Sequence, residues 1–480
     1  MRYKFKLKPY QHQIDALKKS WDKKEYALFM DMGTGKSKVL IDNMSMLYDN
    51  GSITAALIIA PKGVYRNWEQ GELPTHLPDH IEADIVLWNP NQTKTQIEKQ
   101  KKLFPINNDV NLKIFVMNIE AFSTKKGVQI ADKFLNLHKA LMVVDESTTI
   151  KSKDAKRTKS IVKIGEKATY RRILTGSPVT KSPMDLYTQC QFLDPWLLGF
   201  SSFYSFQYEY AIVQRRTMGS HSFNTVVGYR NLPRLNEKLD KFSFRVKKEN
   251  CLDLPDKVYM KRVVELTDEQ KSIYSSIKSF ALAMIDEGKV TTDAILTQLL
   301  RLQQVCSGHV KLDDGTMSTF NSAKLPELMS TLDEVYGKVI IWANFTHDIR
   351  TIEKELSEKY GTETVATYYG ETNSDERQEI VKKFQDPDNP LRFFVGQPRT
   401  GGYGLTLTQA QTVIYYSNSF DLEVRLQSED RAHRIGQTKK VTYIDIIAEK
   451  TVDEKILKAL KDKISIASQV LAEDFRDWII

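Results

Sequence analysis

The stretch ALFMDMGTGKSKVL, residues 27–40, joins a short apolar run to a glycine-rich loop and a helix-like segment. A strand, a glycine loop and a helix in this order gather backbone N–H groups at a helix N-terminus, where phosphate binds. Gly35, Lys36 and Ser37 fit the end of the pattern G-x-x-x-x-G-K-[ST], but Met30 replaces its first glycine. The stretch predicts a nucleotide-phosphate loop, although so short a motif also arises by chance in a simple glycine turn.

The residue types within the loop suit separate tasks in phosphate binding. Gly33 and Gly35 let the backbone approach the phosphates closely. Lys36 can reach the β- and γ-phosphates, and the Ser37 hydroxyl can bind Mg²⁺. The candidate ATP-binding residues of the loop are Met32, Gly33, Thr34, Gly35, Lys36 and Ser37.

A second signal is a pair of adjacent carboxylates, Asp145 and Glu146, which end the apolar run ALMVVDE (140–146). Asp145 can hold Mg²⁺ through water, and Glu146 can position or deprotonate the attacking water. The alternative is a solvated acidic pair at a strand end. That alternative does not explain why the pair ends a buried-looking strand downstream of a phosphate loop.

A third signal is the segment QSEDRAHRIGQ, residues 427–437, which we predict to be helical. Arg431 and Arg434 are three residues apart, so a helix would place them on one face. Arginines that approach a γ-phosphate stabilise the charge that develops during phosphoryl transfer. His433 lies between them, but without a second histidine at ligand spacing we expect it to pack or to form a hydrogen bond rather than bind a metal.

The pattern of elements along the chain predicts an α/β fold with three regions. Short apolar runs separated by helical stretches indicate parallel sheets flanked by helices, with functional residues at the carboxyl ends of the strands. Between the two α/β regions the apolar spacing becomes helical. The predicted domains are an α/β domain at 1–195, a mainly helical insertion and linker at 196–325, and a second α/β domain at 326–480.

Two parts of the central region allow more than one interpretation. Residues 212–229 contain two strand-like runs around a turn-like centre, which predicts a basic hairpin. The hairpin would either steer DNA strands or simply pack on the helical module, and we favour packing slightly. The aromatic side chains at 203–210 are expected to form the core of that module rather than a base-stacking platform.

The bulk composition sets broad limits on the class of protein. With 480 residues, 41% of them hydrophobic, the chain is long enough for two or three globular cores. The net charge of +8 suits a polyanionic partner, although a solvated basic surface explains it equally well. The three cysteines are widely spaced, and no run approaches a secretory signal or a membrane span. We therefore expect a soluble, intracellular protein without zinc or disulfides.

The order of these motifs resembles that of the Snf2-type superfamily 2 helicases and DNA translocases. The loop is similar to that family's form D-x-G-x-G-K-[ST], in which the first glycine is often not kept. DEST (145–148) departs from the family's D-E-A-H only after the two carboxylates. Other similar segments include LKPYQ (7–11), LTGSP (174–178), FRVKKENCLDLPDKVY (244–259), LTDEQKSIY (266–274), SAKL (322–325), TGGYGLTLTQA (400–410), RAHRIGQ (431–437) and TVDEKI (451–456). IIAPKGVYRNW (58–68) resembles a DNA-contacting segment of the family.

The resemblance implies two RecA-like lobes, with a mainly helical Snf2-type insertion between them, that hydrolyse ATP with Mg²⁺. It assigns the adenine contact to Gln11 and brings Arg431 and Arg434 to the γ-phosphate from the second lobe. The implied catalytic residues are Lys36, Asp145, Glu146, Arg431 and Arg434, with Ser37 and Asp145 at the metal. The implied DNA contacts are Lys62 and Arg66 in the first lobe and Asn344, Arg399, Thr400, Gly401 and Gly402 in the second.

Three functions remain open at this point. The first is a DNA-stimulated ATPase that translocates on duplex or branched DNA and unwinds, reanneals or migrates branches at forks, as in DNA repair and recombination. The second is an RNA helicase or remodeller, and the third is a non-catalytic nucleic-acid clamp. We expect a monomeric motor in the cytoplasm of a bacterium or a phage-infected cell, associated with the nucleoid.

Overall fold

The computed structural model describes residues 3–62, 64–104, 111–218, 221–251, 254–286, 292–401 and 405–471. The chain forms two compact units. The first takes up most of the span from Met1 to Asp253, and the second most of the span from Leu254 to Ser465. Each unit has its own parallel sheet.

The strands and helices alternate along most of the chain. The strands are β1 (Glu25–Met30), β2 (Ala55–Ala60), β3 (Ala83–Leu87), β4 (Leu112–Asn118), β5 (Ala140–Asp145), β6 (Tyr170–Leu174), β7 (Ala211–Met218), β8 (His221–Tyr229), β9 (Ser243–Val246), β10 (Lys257–Val264), β11 (His309–Lys311), β12 (Met317–Thr319), β13 (Lys338–Trp342), β14 (Val365–Tyr368), β15 (Phe393–Gly396), β16 (Ala410–Tyr415) and β17 (Val441–Ala448). The helices are α1 (Gln11–Ser20), α2 (Lys36–Asp49), α3 (Tyr65–Asn67), α4 (Leu73–His76), α5 (Lys94–Lys101), α6 (Lys125–Leu137), α7 (Lys156–Gly165), α8 (Asp185–Leu193), α9 (Phe203–Tyr210), α10 (Leu232–Asp240), α11 (Asp268–Asp286), α12 (Thr292–Cys306), α13 (Lys324–Glu334), α14 (Thr346–Tyr360), α15 (Ser374–Gln385), α16 (Pro398–Gly401), α17 (Leu422–Glu429) and α18 (Val452–Leu471).

The sheet of the first unit has the strand order β3-β4-β2-β5-β6-β1-β9 in the described part of the chain, and its pairs are parallel. Its central strands are buried along their whole length, as in AALIIA of β2, because helices cover both faces. The carboxyl ends of β1, β5 and β6 therefore meet at one edge of the sheet, where the predicted phosphate loop and carboxylates follow.

The sheet of the second unit has the order β10-β17-β16-β13-β15-β14 over the described residues, again with parallel pairs. Apolar clusters fill the space on both faces. A further cluster joins α12, α17 and α18 through residues such as Leu302, Leu422 and Ile456. The predicted α/β class, with parallel sheets flanked by helices in two lobes, is confirmed.

Strands from the predicted central module extend both sheets. β9 pairs with β1 in the first unit, and β10 pairs with β17 in the second. The sequence of β10, KVYMKRVV, gave little sign of this because an edge strand keeps many side chains exposed. The grouping of residues 196–325 as one functional module stays a prediction.

The predicted hairpin is present as the paired strands β7 and β8, while its centre at 219–220 lies outside the described residues. Among the helices that the structure describes, none has both the length and the apolar character needed to cross a bilayer. The cysteines Cys190, Cys251 and Cys306 are free, and the first and last of them are buried.

Candidate active site

The loop between β1 and α2 has the geometry of an anion cradle. Gly33 and Gly35 have φ angles of 77° and 86°, in the left-handed region that glycine adopts at little cost. The Thr34 hydroxyl donates to the carbonyl of Asp31 at 2.7 Å and closes the turn between the glycines. α2 begins at Lys36 with no acidic residue in its first turn, so that turn adds no carboxylate to repel an anion.

The ammonium group of Lys36 lies against the start of this loop. Its Nζ donates to the carbonyls of Met30 at 2.9 Å and Asp31 at 3.1 Å. Met32 and Thr34 are buried in the loop, and Ser37 follows within α2 with its side chain half-buried. The predicted phosphate ligands are thus brought together around one helix N-terminus, and their contact with ATP stays a prediction.

Helix α1 contacts the phosphate loop through hydrogen bonds to the Thr34 carbonyl. The Gln13 amide donates to the Thr34 carbonyl at 3.1 Å, and the His12 ring lies 2.8 Å from the same oxygen. A Cβ atom on Gly35 would lie only 2.2 Å from the Gln13 amide nitrogen. Because Gln13 is 2% exposed, it has little room to move away, and glycine is required at position 35 for space as well as for its φ angle.

The predicted adenine contact, Gln11, has a different environment from Gln13. Gln11 is exposed at the first position of α1, where its amide donates to Asp15 Oδ1 at 2.9 Å. Its role toward adenine stays a prediction. Sequence reasoning missed Gln13, although its spacing from Ala16 and Leu17 places the three on one helix face.

The carboxylate of Asp145 is buried at the end of β5. It accepts hydrogen bonds from Trp68 Nε1 at 3.0 Å and from the Glu146 N–H at 3.0 Å. Burial raises the pKa of Asp145, while the Trp68 hydrogen bond and the charge of Lys36 oppose that rise. The interaction with Lys36 shows that the fold brings the phosphate loop and the acidic pair together.

Glu146 has a strained backbone at the start of the next turn. Its φ of 47° and ψ of 61° lie in the left-handed region, which costs a residue other than glycine about 1–3 kcal/mol. The following residue, Ser147, donates its hydroxyl to Gln189 Oε1 at 2.7 Å. The Gln189 amide in turn donates to the Pro178 carbonyl at 2.8 Å, so it links this turn to the LTGSP segment.

The LTGSP segment also touches the phosphate loop. A Cβ atom on Gly176 would lie 3.0 Å from both the backbone nitrogen and Cγ of Met32. Thr175 donates its backbone N–H to the carbonyl of Leu28 in β1 at 3.2 Å. The loops that follow β1, β5 and β6 therefore form one packed group, as expected for strands whose carboxyl ends share an edge.

Asp145 and Ser37 are suited to hold Mg²⁺. Both offer oxygen ligands, which this cation prefers. A divalent cation would also offset the cost of burying the Asp145 carboxylate, which is visible in its raised pKa. When held by these two residues, Mg²⁺ would neutralise negative charge on the nucleotide phosphates.

Trp68 is a site residue that the sequence did not single out. It lies in the segment resembling a DNA-contacting motif, yet its side chain is 1% exposed and its indole N–H orients Asp145. Groups that hydrogen-bond to a metal ligand fix the orientation of that ligand. The indole thus connects the predicted DNA-contacting segment directly to the predicted metal ligand.

Replacing Trp68 with phenylalanine should raise the Mg²⁺ concentration that half-saturates ATP hydrolysis by about 10–100-fold, because a smaller aromatic ring remains but the N–H that orients Asp145 is lost. A Mg²⁺ titration of the ATPase rate measures this. Trp88→Phe is the matched control, since Trp88 is also buried in the first unit. An equal Mg²⁺ requirement for the two variants would contradict the role given to Trp68.

In the second unit, the side chains of Arg431 and Arg434 converge. Both donate to the carbonyl of Leu405, at 3.1 Å and 3.0 Å. Arg431 also donates through Nε to the carbonyl of Gln427 at 2.8 Å. The predicted pair is therefore brought together, with Arg431 largely buried.

The prediction that these arginines lie on a helix is wrong. α17 ends at Glu429, and residues 430–436 form turns. The convergence on Leu405 comes from these turns instead of from helical spacing. His433 has the hydrogen-bonding role expected for it, since its Nε2 lies 2.7 Å from the carbonyl of Pro255.

A buried ionic network supports the helix that leads into the arginine segment. The guanidinium of Arg425 contacts Glu429 Oε1 at 2.8 Å, Asn418 Oδ1 at 2.7 Å and Asp445 Oδ2 at 3.1 Å. Its Cζ also lies 3.6 Å from the ring centroid of Tyr415. Because these groups are buried away from water, the positive charge of Arg425 and the negative charges of Glu429 and Asp445 must neutralise one another.

Replacing Arg425 with methionine should destabilise the second unit by about 3–5 kcal/mol, because it takes the contacting cation from the buried carboxylate of Asp445 and leaves Glu429 with Lys257, at 3.4 Å, as its cation. Urea denaturation, followed through the transition of that unit, measures the loss. Arg350→Met is the control, since Arg350 pairs with Glu371 on the surface and such pairs contribute at most about 1 kcal/mol. Equal losses for the two variants would contradict a supporting role for the network.

The predicted DNA contacts of the first unit, Lys62 and Arg66, are both exposed. Arg66 lines a surface depression of about 340 Å³ together with Gln70, Trp88 and Lys99. Exposed cations of this kind are available to a phosphate backbone. Their contact with DNA stays a prediction.

The predicted contacts of the second unit gather around Gln397. Its amide donates to the Asn344 carbonyl at 3.3 Å, and its Oε1 accepts from the Thr400 hydroxyl at 3.3 Å. Arg399 is exposed and lies 3.5 Å from Asp421, which partly offsets its charge. A Cβ atom on Gly401 would lie 2.6 Å from the Trp342 ring, so the backbone passes close to that side chain. Gly402 lies outside the described residues.

Comparison with known protein families matches most of the chain. A model of the SNF2-related domain matches residues 12–310, and a model of the helicase conserved C-terminal domain matches residues 322–436. The matched spans contain the phosphate loop and the acidic pair in the first model and Arg431 and Arg434 in the second.

Similar curated proteins come from bacteria and eukaryotes. The putative ATP-dependent helicase/translocase YwqA of Bacillus subtilis is 27% identical over 94% of this chain and 46% of its own length. The uncharacterized ATP-dependent helicase MG018 of Mycoplasma genitalium is 28% identical over 92% of this chain and 40% of its own length. The probable ATP-dependent DNA helicase CHR23 of Arabidopsis thaliana is 25% identical over 92% of this chain and 41% of its own length. The chain thus spans less than half the length of these relatives.

Among solved structures, the SWI2/SNF2 ATPase core of Sulfolobus solfataricus in complex with dsDNA is 25% identical. The match covers 100% of this chain and 96% of that one, with a TM-score of 0.43. The family model that covers more than half of the sequence decides the assignment. The chain belongs to the SNF2-related family, and its second unit carries the helicase C-terminal domain.

Proposed function

We propose that this protein is a DNA-stimulated ATPase that couples ATP hydrolysis to movement along duplex or branched DNA. The observation that carries the proposal is the grouping of a phosphate loop, Lys36 and the buried Asp145 at one sheet edge. Membership of the SNF2-related family supports it. The converging arginines of the second unit supply the positive charge that phosphoryl transfer requires.

Each residue of the candidate active site would have a separate role in ATP hydrolysis. The N-terminus of α2 and Lys36 hold the phosphates, while Asp145 and Ser37 hold Mg²⁺. Glu146 orients the attacking water, and Arg431 with Arg434 stabilises the charge that develops on the γ-phosphate. Because hydrolysis removes the contacts made by that phosphate, each cycle shifts the preferred conformation of the protein.

Movement requires that this conformational cycle change the affinity of the protein's contacts with DNA. Lys62 and Arg66 in the first unit and Asn344, Arg399 and Thr400 in the second are the proposed contacts with the phosphate backbone. Such contacts read no sequence and weaken with salt. We propose forked or branched duplexes as substrates, with strand separation or branch migration in DNA repair or recombination as the outcome.

The test is the ATPase rate measured with single-stranded, duplex, forked and four-way DNA and with RNA, in parallel with strand displacement. We expect duplex-containing DNA to stimulate hydrolysis most, and the stimulation to fall as salt rises. Stronger stimulation by RNA would indicate an RNA remodeller instead. Hydrolysis that stays absent with every nucleic acid would indicate a non-catalytic clamp.

We also propose where the protein acts and in which oligomeric state. Similarity to helicases of Bacillus subtilis and Mycoplasma genitalium supports a bacterial cytoplasm as the place of action, and we propose a phage-infected cell as the alternative. We propose a monomer as the acting form, since each proposed role is met by residues of this one chain.

A further inference from the structure

Helix α9 places aromatic side chains on two opposite faces. Phe206 and Tyr210 are buried in the core of the first unit, as expected from the sequence. Tyr204 and Tyr208 are instead 69% and 76% exposed. Residues four apart on a helix lie on the same face, so α9 carries a pair of exposed rings that the hydrophobic core does not use.

Each exposed ring has a cation beside it. Lys153 Nζ lies 5.3 Å from the ring centroid of Tyr204 and 5.3 Å from that of Phe203. Arg230 Cζ lies 5.3 Å from the centroid of Tyr208, and its guanidinium donates to the Tyr208 and Glu209 carbonyls. These contacts restrict the rings and keep positive charge next to them, with Asp154, 2.9 Å from Lys153 Nζ, offsetting part of the lysine's charge.

The surface beside α9 is strongly basic. Residues 151–163 contain six lysines and arginines and one acidic residue, Asp154. Lys153, Lys159 and Lys163 line a depression of about 380 Å³ whose wall includes Phe203, with Asp154 and Glu166 as its acidic members. A cationic groove next to exposed aromatic rings is the combination that binds single-stranded nucleic acid, with phosphates on the cations and bases stacked on the rings.

We propose that Tyr204 and Tyr208, together with Lys153, Arg230 and the depression lined by α7, form a binding site for single-stranded DNA. Duplex DNA hides the faces of its bases, so exposed rings add affinity only when bases are unstacked. The site would hold a strand that has left the duplex. The inference rests on the proposed function in taking DNA as the partner.

The test compares binding of labelled oligothymidylate and of a labelled duplex of equal length by fluorescence anisotropy, at one salt concentration and without ATP. Tyr204→Ala/Tyr208→Ala should weaken single-strand binding at least about 30-fold, since each stacked base contributes about 1–3 kcal/mol. Tyr204→Phe/Tyr208→Phe keeps both rings and should stay close to wild type. Duplex affinity and the ATPase rate without DNA should be unchanged, which also shows that the variant is folded.

Tyr336→Ala is the matched control, because Tyr336 is 87% exposed and belongs to the second unit. Single-strand affinity that is unchanged in the double alanine variant, or absent in wild type, overturns the proposed site. An equal loss of duplex affinity in the double alanine variant also overturns the proposed site, because the surface would then bind only the phosphate backbone of DNA. These outcomes leave duplex-stimulated hydrolysis by wild type intact, whereas the absence of that hydrolysis contradicts the proposed function itself.

Discussion

Replacing Lys36 with alanine should abolish ATP turnover while the protein stays folded. The Lys36 ammonium lies on the carbonyls of Met30 and Asp31, at the mouth of the loop that ends at Gly35. Its removal takes a full positive charge from the place where the β- and γ-phosphates would lie. Loss of one preorganised group of this kind lowers kcat by at least about 10²–10³-fold.

The control for this variant is Lys18→Ala, because Lys18 is an exposed lysine of the neighbouring α1. Its turnover should match that of wild type. Steady-state ATP hydrolysis at saturating DNA compares the three proteins. Turnover by Lys36→Ala within tenfold of wild type would remove the phosphate-loop assignment.

Replacing Arg431 with alanine should lower kcat by about 10³–10⁵-fold, equivalent to about 4–7 kcal/mol of transition-state stabilisation. The reason is that an arginine acting on the γ-phosphate has its largest effect in the transition state, where charge spreads over the transferred group. Binding of ATP in the ground state should change much less. Single-turnover hydrolysis and nucleotide binding, measured separately, distinguish the two effects.

Arg350→Ala is the control for Arg431, since it removes a surface arginine of the same unit whose partner is Glu371. It should hydrolyse ATP like wild type. Thermal unfolding of Arg431→Ala is also needed, because Arg431 holds the Leu405 and Gln427 carbonyls. A loss of kcat below tenfold in a folded variant would contradict the role of Arg431 in stabilising the charge on the γ-phosphate.

The sequence predicted the fold class because the central strands of both sheets are buried on both faces and so appear as continuous apolar runs. AALIIA in β2 and VIIW in β13 are examples. It did not predict β9 and β10 as members of the sheets. Both are short or edge strands of mixed polarity, and their place depends on pairing with β1 and β17, which lie far away in the sequence.

The candidate site was predictable where its functional residues are adjacent in the sequence, as in the glycine loop and the acidic pair. Trp68 was missed because its role depends on Asp145, which is 77 residues away. Arg425 was missed for a similar reason, since it lies on α17 and its charge is compensated by Asp445 of strand β17. The sequence also placed the end of α17 too late, because no glycine or proline follows Glu429 until Gly436.

The most direct measurement of the central claim is displacement of a third strand from a triplex by the moving protein. A labelled strand bound in the major groove of a duplex should be released when ATP and Mg²⁺ are present. It should stay bound with ADP, or when Lys36→Ala replaces wild type. Duplex-stimulated ATP hydrolysis by wild type without release of the third strand would contradict the account, because hydrolysis would then not drive movement along DNA.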